Sequence, residues 1–429
     1  MMILRTRTED NIWNMELKRV VVTGMGAISP VGLTCLETWN NVKDGVSGAA
    51  LIDTYDTSSS KTKFACTVKN FNPEQYFDRK ELRKLDKFNQ FAIVASDEAI
   101  KDSGIDFNKV DRTRAGVVWA SGIGGSNTIF GEIIDYASSA LSRFSPFFIP
   151  KIISDIAAGT ISIRYGLMGP NYNTVSACAS SANAIIDAVN LIRLDMADII
   201  VIGGSEASIN EVGMEGFQSM QAISKNNEEY QTASRPFCAT RDGFVMGEGG
   251  CSLIIEEYEH ALRRGAKIYA EVAGVGLSAD AYHITAPHPD GLGGMIAMSN
   301  AIKNAGIKPE MIDYINAHAT STPIGDVPEI LAIQKVFGEH AYKLNISSTK
   351  SEIGHLLGAA GAIESMFCIF AINEGIVPPT INLKQRDEKI DEKLNLTLYK
   401  AQERNIDYAM SNAFGFSGHN TSIIFKKMK

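Results

Sequence analysis

Short apolar runs recur along this chain, and each ends in glycine, serine or another small polar residue. They lie at residues 18–29 (KRVVVTGMGAIS), 115–126 (AGVVWASGIGGS), 198–206 (DIIVIGGSE), 314–322 (YINAHATST) and 407–418 (DYAMSNAFGFSG). A shorter one, NTVS, opens at Asn173. Runs without polar alternation read as strands buried on both faces. Stretches of helical period separate them. After Cys178, for example, Ile185, Ile186, Val189 and Ile192 fall on one face and are assigned to the core. Strands alternating with helices predict an α/β fold with mostly parallel sheets and a site at the strand ends. Residues 145–161, with Pro146, Pro150 and two phenylalanines, read as an irregular covering segment.

The pattern occurs twice. Gly24 and Gly26 match Gly274 and Gly276 of AEVAGVGLS at one offset of 250. Further on, Ser121 falls opposite His318, Cys178 opposite Ser351 and Ser205 opposite Phe414, at offsets of 197, 173 and 209. Loops of unequal length account for the drift. Two similar halves are expected, 15–268 and 269–429, with 1–14 a disordered extension that lacks the apolar core of a signal peptide. The first Gly-x-Gly is not a dinucleotide fingerprint. Ser29 stands near where a third glycine belongs, and Asp44 sits at a helix end, not a strand end.

Charge and composition narrow the class. The formal net charge of −8 offers no global attraction for nucleic acid. Six cysteines include no CxxC and no Cys/His cluster at zinc spacing, so neither a disulfide framework nor a metal is expected. No apolar run is judged to approach the roughly 18 residues that cross a membrane. A cytoplasmic protein is expected. Within this acidic chain, RKELRKLDK at 79–87 places Lys80, Arg83, Lys84 and Lys87 at spacings that share a helical face. That is either a solvated face or a dock for an acidic partner.

Cys178 sits where NTVS turns into a helix. Unpaired N–H groups and the helix dipole at such a corner favour thiolate. A buried core cysteine is the alternative reading. His318, Lys350, His355 and Phe416 lie at matching strand ends. Four segments, VSACASSANAI, NAHATSTPIGD, STKSEIGHLLGAAGAIES and MSNAFGFSGHN, resemble in order the signatures of the β-ketoacyl-acyl-carrier-protein synthases, in particular the elongating synthase II type. The resemblance runs from about Lys18 to the end.

It implies a thiolase-like fold, with duplicated αβαβα halves in a five-layered core, and a homodimer. It implies decarboxylative condensation of a malonyl thioester with an acyl chain on Cys178, without a cofactor or metal of the protein's own. Phosphopantetheine would arrive on the acyl carrier protein. His318 and His355 would hold the developing enolate, with one of them poised near pH 7. Cys178 and Phe416 would supply oxyanion N–H groups, Phe416 would also act as a gate, and Lys350 would pair with Glu364. Ile123, Thr285, Thr320, Thr322 and Phe414 would bind substrate. Lys80, Arg83 and Lys84 would dock the carrier. Four positions depart from the pattern: Ala319 and Ser417 replace glycines, Cys238 an aspartate and Gln221 an arginine. A condensing enzyme of a polyene or polyketide pathway shares these features. A non-catalytic chain-length partner usually lacks the nucleophile, and a degradative thiolase would want a second cysteine near 411–420.

Overall fold

The apolar runs form ten strands: β1 Val20–Ile28, β2 Ala115–Ala120, β3 Asn171–Thr174, β4 Ile199–Glu206, β5 Gly249–Glu257, β6 Ala270–Ala279, β7 Tyr314–Asn316, β8 Asn345–Ser347, β9 Tyr408–Gly415 and β10 His419–Lys426. The structure, a computed structural model, describes residues 17–140 and 142–428. The extension expected over 1–14 lies outside them. The strand order is β8-β7-β9-β10-β6-β1-β5-β4-β2-β3. It reads as two five-stranded sheets of one topology, joined where Val21 and Val22 of β1 pair antiparallel with Glu271 and Ala270 of β6. In each half only the three outer strands run parallel. The two inner pairings are antiparallel, which corrects the mostly parallel expectation. In the second half the cause is local, since β9 returns directly into β10 through Phe416–Gly418.

Helices α1 Lys87–Ser103 and α3 Leu292–Ala305 pack on β1 and β6 respectively. Helices α2 Ser180–Arg193 and α4 Ala360–Glu374 pack on each other and on strands of the two sheets. Their apolar residues share one continuous core with both sheets. The repeated glycines are explained by this layering. A Cβ on Gly26 would lie 2.2 Å from Ala95 O, and one on Gly276 would lie 2.0 Å from Ala297 O. Helix backbone therefore rests directly on strand backbone in both halves. Gly26→Ala is expected to cost about 3 kcal/mol, as overpacking against main chain that cannot move aside. An unchanged denaturant midpoint would contradict that packing.

Three local expectations change. Residues 145–161 are not irregular: helices Phe148–Ile152 and Ile156–Tyr165 occupy most of them. Pro150 lies in a first turn, where its missing N–H has no intrahelical partner to lose. The basic cluster does not share a helix. Arg79–Leu82 is a single turn boxed by Asp78 and Glu81, and α1 starts afresh behind Asp86. Lys80, Arg83 and Lys84 stay exposed, while Lys87 turns in to the buried Glu248 at 2.7 Å. Finally, Leu357–Glu374 is long and apolar enough to cross a membrane, contrary to expectation. It is apolar all round because it is enclosed by protein.

Candidate active site

The site forms where outer strands of both halves end. Cys178 occupies the tight turn Ala177–Ala179 ahead of α2, with Ala177 in the left-handed region at φ 49°. The second half repeats this turn at Leu357–Ala359 ahead of α4, with Leu357 at φ 48°. The structural counterpart of Cys178 is therefore Gly358, not Ser351. Ten positions separate Ser347 from Leu357, against three from Thr174 to Ala177. The inserted segment carries Lys350 and His355. Helix α4 accordingly opens at Ala360, later than a start near His355.

Cys178, His318 and His355 bring their sulfur and ring nitrogens within 4.8 Å of one another. The imidazoles meet edge to face, with centroids 5.4 Å apart. Phe414 packs against His318 and Phe244 against His355. Glu329 accepts the backbone N–H of His318 at 2.9 Å and of Ala319 at 2.7 Å, which sets the first histidine's turn. Lys350 is ion-paired with Glu364, both side chains 1% exposed, behind the cavity wall. Gly415 lets the end of β9 reach the nucleophile turn, since a Cβ there would lie 3.2 Å from Cys178 N and 2.6 Å from Ser176 O. The Phe416 N–H then faces Cys178 Sγ. Ser417 holds φ 65° in the turn that follows, a conformation glycine adopts freely and serine does not. Its N–H donates to Ile284 O at 2.7 Å.

These groups line a cavity of 330 Å³ with Thr285, Thr320, Thr322 and the variant positions Ala319 and Gln221. Ile123 is not among the residues lining this cavity; it is 39% exposed in the single chain, with its N–H bonded to Glu206 beside the Cys178 turn. Cys238 lies elsewhere, with its sulfur 3.3 Å from Thr240 Oγ1.

Burial governs the protonation states. The Cys178 thiol is pushed up to about 12 by desolvation, against the pull of Lys350 and the Phe416 N–H. This corrects the expectation that the helix start lowers it, because a dipole worth at most about 2 kcal/mol loses to full burial. Both imidazoles are held well below their ordinary value by burial and then by Lys350. They are neutral at pH 7, and neither is poised there. Among the described residues, His355 is buried with no partner on either ring nitrogen, and His318 Nδ1 has none. Orphaned donors of this kind mark a place for a ligand oxygen. The Glu364 carboxyl is raised by burial to about 7, with Lys350 opposing.

Sequence reasoning missed two carboxylates that brace the site, Glu329 and Glu206. Glu206 accepts from Ser121 Oγ, Gly122 N, Ile123 N and Gly358 N at 2.8–3.2 Å, which ties the two halves together beside Cys178. The available signal was a carboxylate closing an otherwise buried strand in DIIVIGGSE.

Two family models match the chain: the β-ketoacyl synthase N-terminal domain over residues 17–261 and its C-terminal domain over 269–384. The 3-oxoacyl-[acyl-carrier-protein] synthase 2 of a Synechocystis strain is 46% identical over 414 residues, 96% of this chain and 99% of that protein. The Staphylococcus aureus (strain COL) protein of the same name is 47% identical over 412 residues, with the same coverage. Among solved structures, a β-ketoacyl synthase from Burkholderia phymatum superimposes with TM-score 0.89 at 33% identity, covering 96% of this chain and all of that one. A type II polyketide ketosynthase, solved with its acyl-carrier protein, superimposes with TM-score 0.88 at 32% identity, again over 96% of this chain. By both family models, and by relatives matched nearly end to end, this chain belongs to the β-ketoacyl synthases.

Proposed function

We propose that the chain is an elongating 3-oxoacyl-acyl-carrier-protein synthase. The observation that carries this reading is a cysteine and two neutral, unpartnered imidazoles converging in one cavity. Cys178 attacks the thioester carbonyl of an acyl-carrier protein. Its thiol proton leaves with the phosphopantetheine sulfur, and the acyl chain stays on Sγ. Malonyl-carrier protein then enters, and its C–C bond to the carboxylate breaks, releasing CO2. The electron pair becomes an enolate, whose oxygen accepts from the N–H groups of His318 and His355. Neutral donors suit this step, since they hold the charge without protonating the carbon. The carbanion attacks the acyl carbonyl, whose oxygen rests on the Cys178 and Phe416 N–H groups. Sγ departs as a thiolate and takes a proton from water, and the 3-oxoacyl chain, two carbons longer, remains on the carrier. Lys350, ion-paired with Glu364, keeps its positive charge beside the imidazoles and holds them deprotonated. The enzyme needs no cofactor of its own.

Thr285, Thr320 and Thr322 hold the pantetheine arm in this reading, and Phe414 and Phe416 bound the acyl chain; all five line the cavity. The exposed Lys80, Arg83 and Lys84 suit an acidic carrier surface. Homodimerisation is supported by β3, an open sheet edge, and by the exposed apolar Ile133, Ile134, Ile149 and Ile153 in the segment between β2 and β3. The protein is assigned to the cytoplasm, where acyl carriers and reduced cysteines coexist. The test is to incubate the purified protein with malonyl-carrier protein and acyl-carrier proteins of graded length. The expected products are CO2 and 3-oxoacyl-carrier proteins two carbons longer. No condensation at any length would overturn the assignment, and the length profile separates general elongation from a dedicated pathway.

A further inference from the structure

Glu352 lies in the inserted turn between Lys350 and His355, fully buried. Distant segments bond the turn's backbone. Gly48 N–H donates to Glu352 O at 2.7 Å, the Ser234 hydroxyl to Lys350 O at 2.6 Å and the Asn382 amide to Ser351 O at 3.2 Å. At its centre, Ser351 Oγ lies 2.8 Å from Ser348 O, 2.8 Å from Glu352 Oε2 and 3.0 Å from the Ile381 N–H that donates to it. A hydroxyl has one hydrogen and two lone pairs. Its hydrogen goes to Ser348 O, because a backbone carbonyl only accepts. Ile381 N–H takes one lone pair. The third contact closes as a hydrogen bond when the carboxyl oxygen carries the hydrogen and donates it to the remaining lone pair.

We propose that Glu352 acts as an uncharged carboxylic acid that donates from Oε2 to Ser351 Oγ, and that this bond positions the turn presenting Lys350 and His355. Its other oxygen supports the assignment. Oε1 is buried without a partner, which a neutral carbonyl tolerates far better than a carboxylate does. Among the described residues no cation turns to it. Lys350 gives its ammonium to Glu364, Tyr314 on β7 shares its hydroxyl with Ser347, and Cys66, packed on Gly354, is a buried thiol. Burial raises the Glu352 carboxyl well above the usual carboxylate range. Glu352 is thus a positioning residue. Its positioning role rests on the proposed function, whereas its protonation does not.

The sign of the effect follows from linkage. The native state keeps a proton that the unfolded chain has lost above its ordinary value of about 4.3. Stability is therefore full below that value and falls as pH rises. Chemical denaturation of the whole chain between pH 6 and pH 8 should show the wild-type folding constant dropping tenfold more per pH unit than that of E352Q. Difference infrared spectra of native wild type minus E352Q should carry the carbonyl stretch of a protonated acid. Equal pH slopes, or a carboxylate band in its place, overturn the protonation. So does failure of E352Q to fold, since glutamine offers the same shape and an uncharged donor. For positioning, E352L should lower malonyl decarboxylation at least tenfold and E352Q should restore it. Decarboxylation by E352L at the wild-type rate overturns that half alone.

Discussion

Cys178→Ala should fold normally and acquire no acyl adduct from any acyl-carrier protein, as read by intact-protein mass spectrometry. Condensation should fall by roughly 10⁶, the scale on which loss of a covalent nucleophile is felt in other enzymes. The fold should survive because the side chain loses one atom in a turn whose shape depends on Ala177 and Gly415, not on the thiol. Retained condensation would remove the central step of the proposed chemistry. The wild type offers a companion measurement. Its thiol is held up near 12 by burial, so alkylation by a neutral reagent should climb steadily through alkaline pH. A plateau near neutrality would show that the helix start, and not burial, sets the thiol.

His318→Ala and His355→Ala should separate the two halves of the reaction. Both variants keep Cys178 and its N–H groups, so transfer of the acyl chain should proceed. Decarboxylation of malonyl-carrier protein should fall by about 10²–10³ in each, the usual loss for one oxyanion donor. The effect should be steeper at His355. It is 2% exposed and, among the described residues, has no partner for either nitrogen, whereas His318 is only partly buried. Acylation and decarboxylation lost in equal measure would mean that the imidazoles act on the cysteine and not on the malonyl group.

The duplicated architecture was legible from the glycine pairs alone, because a close approach of helix to strand leaves no substitute for Gly26 or Gly276. The convergence of the Cys178 corner, the two histidines and the lysine was legible because strand ends in such a fold meet. The pairing of Cys178 with Ser351 went astray because the drifting offsets could not say where in the second half the insertion falls, and it falls between Ser347 and Leu357, where Lys350 and His355 reside. Protonation states were misjudged for a different reason. A helix start is visible in a sequence, but the depth of burial that opposes it is a property of the assembled layers. The same holds for Glu206 and Glu329. Each braces a turn remote in sequence, and nothing in the local pattern names its partners. Ile123 was placed by resemblance, and in the single chain it stays 39% exposed.

The packing of α2 against α4 bears on how the protein is made. Ile185, Ile186 and Val189 are almost wholly covered in the finished molecule. Their cover, beginning at Ala360, leaves the ribosome some 170 residues after α2 ends, about 10–30 s later at ordinary synthesis rates. Through that interval the nascent first half presents a sticky apolar face with nothing yet to close it. The first half should therefore not fold to completion by itself. A chain truncated before α4 should be held by chaperones or lost to aggregation, whatever the quality of its own sheet.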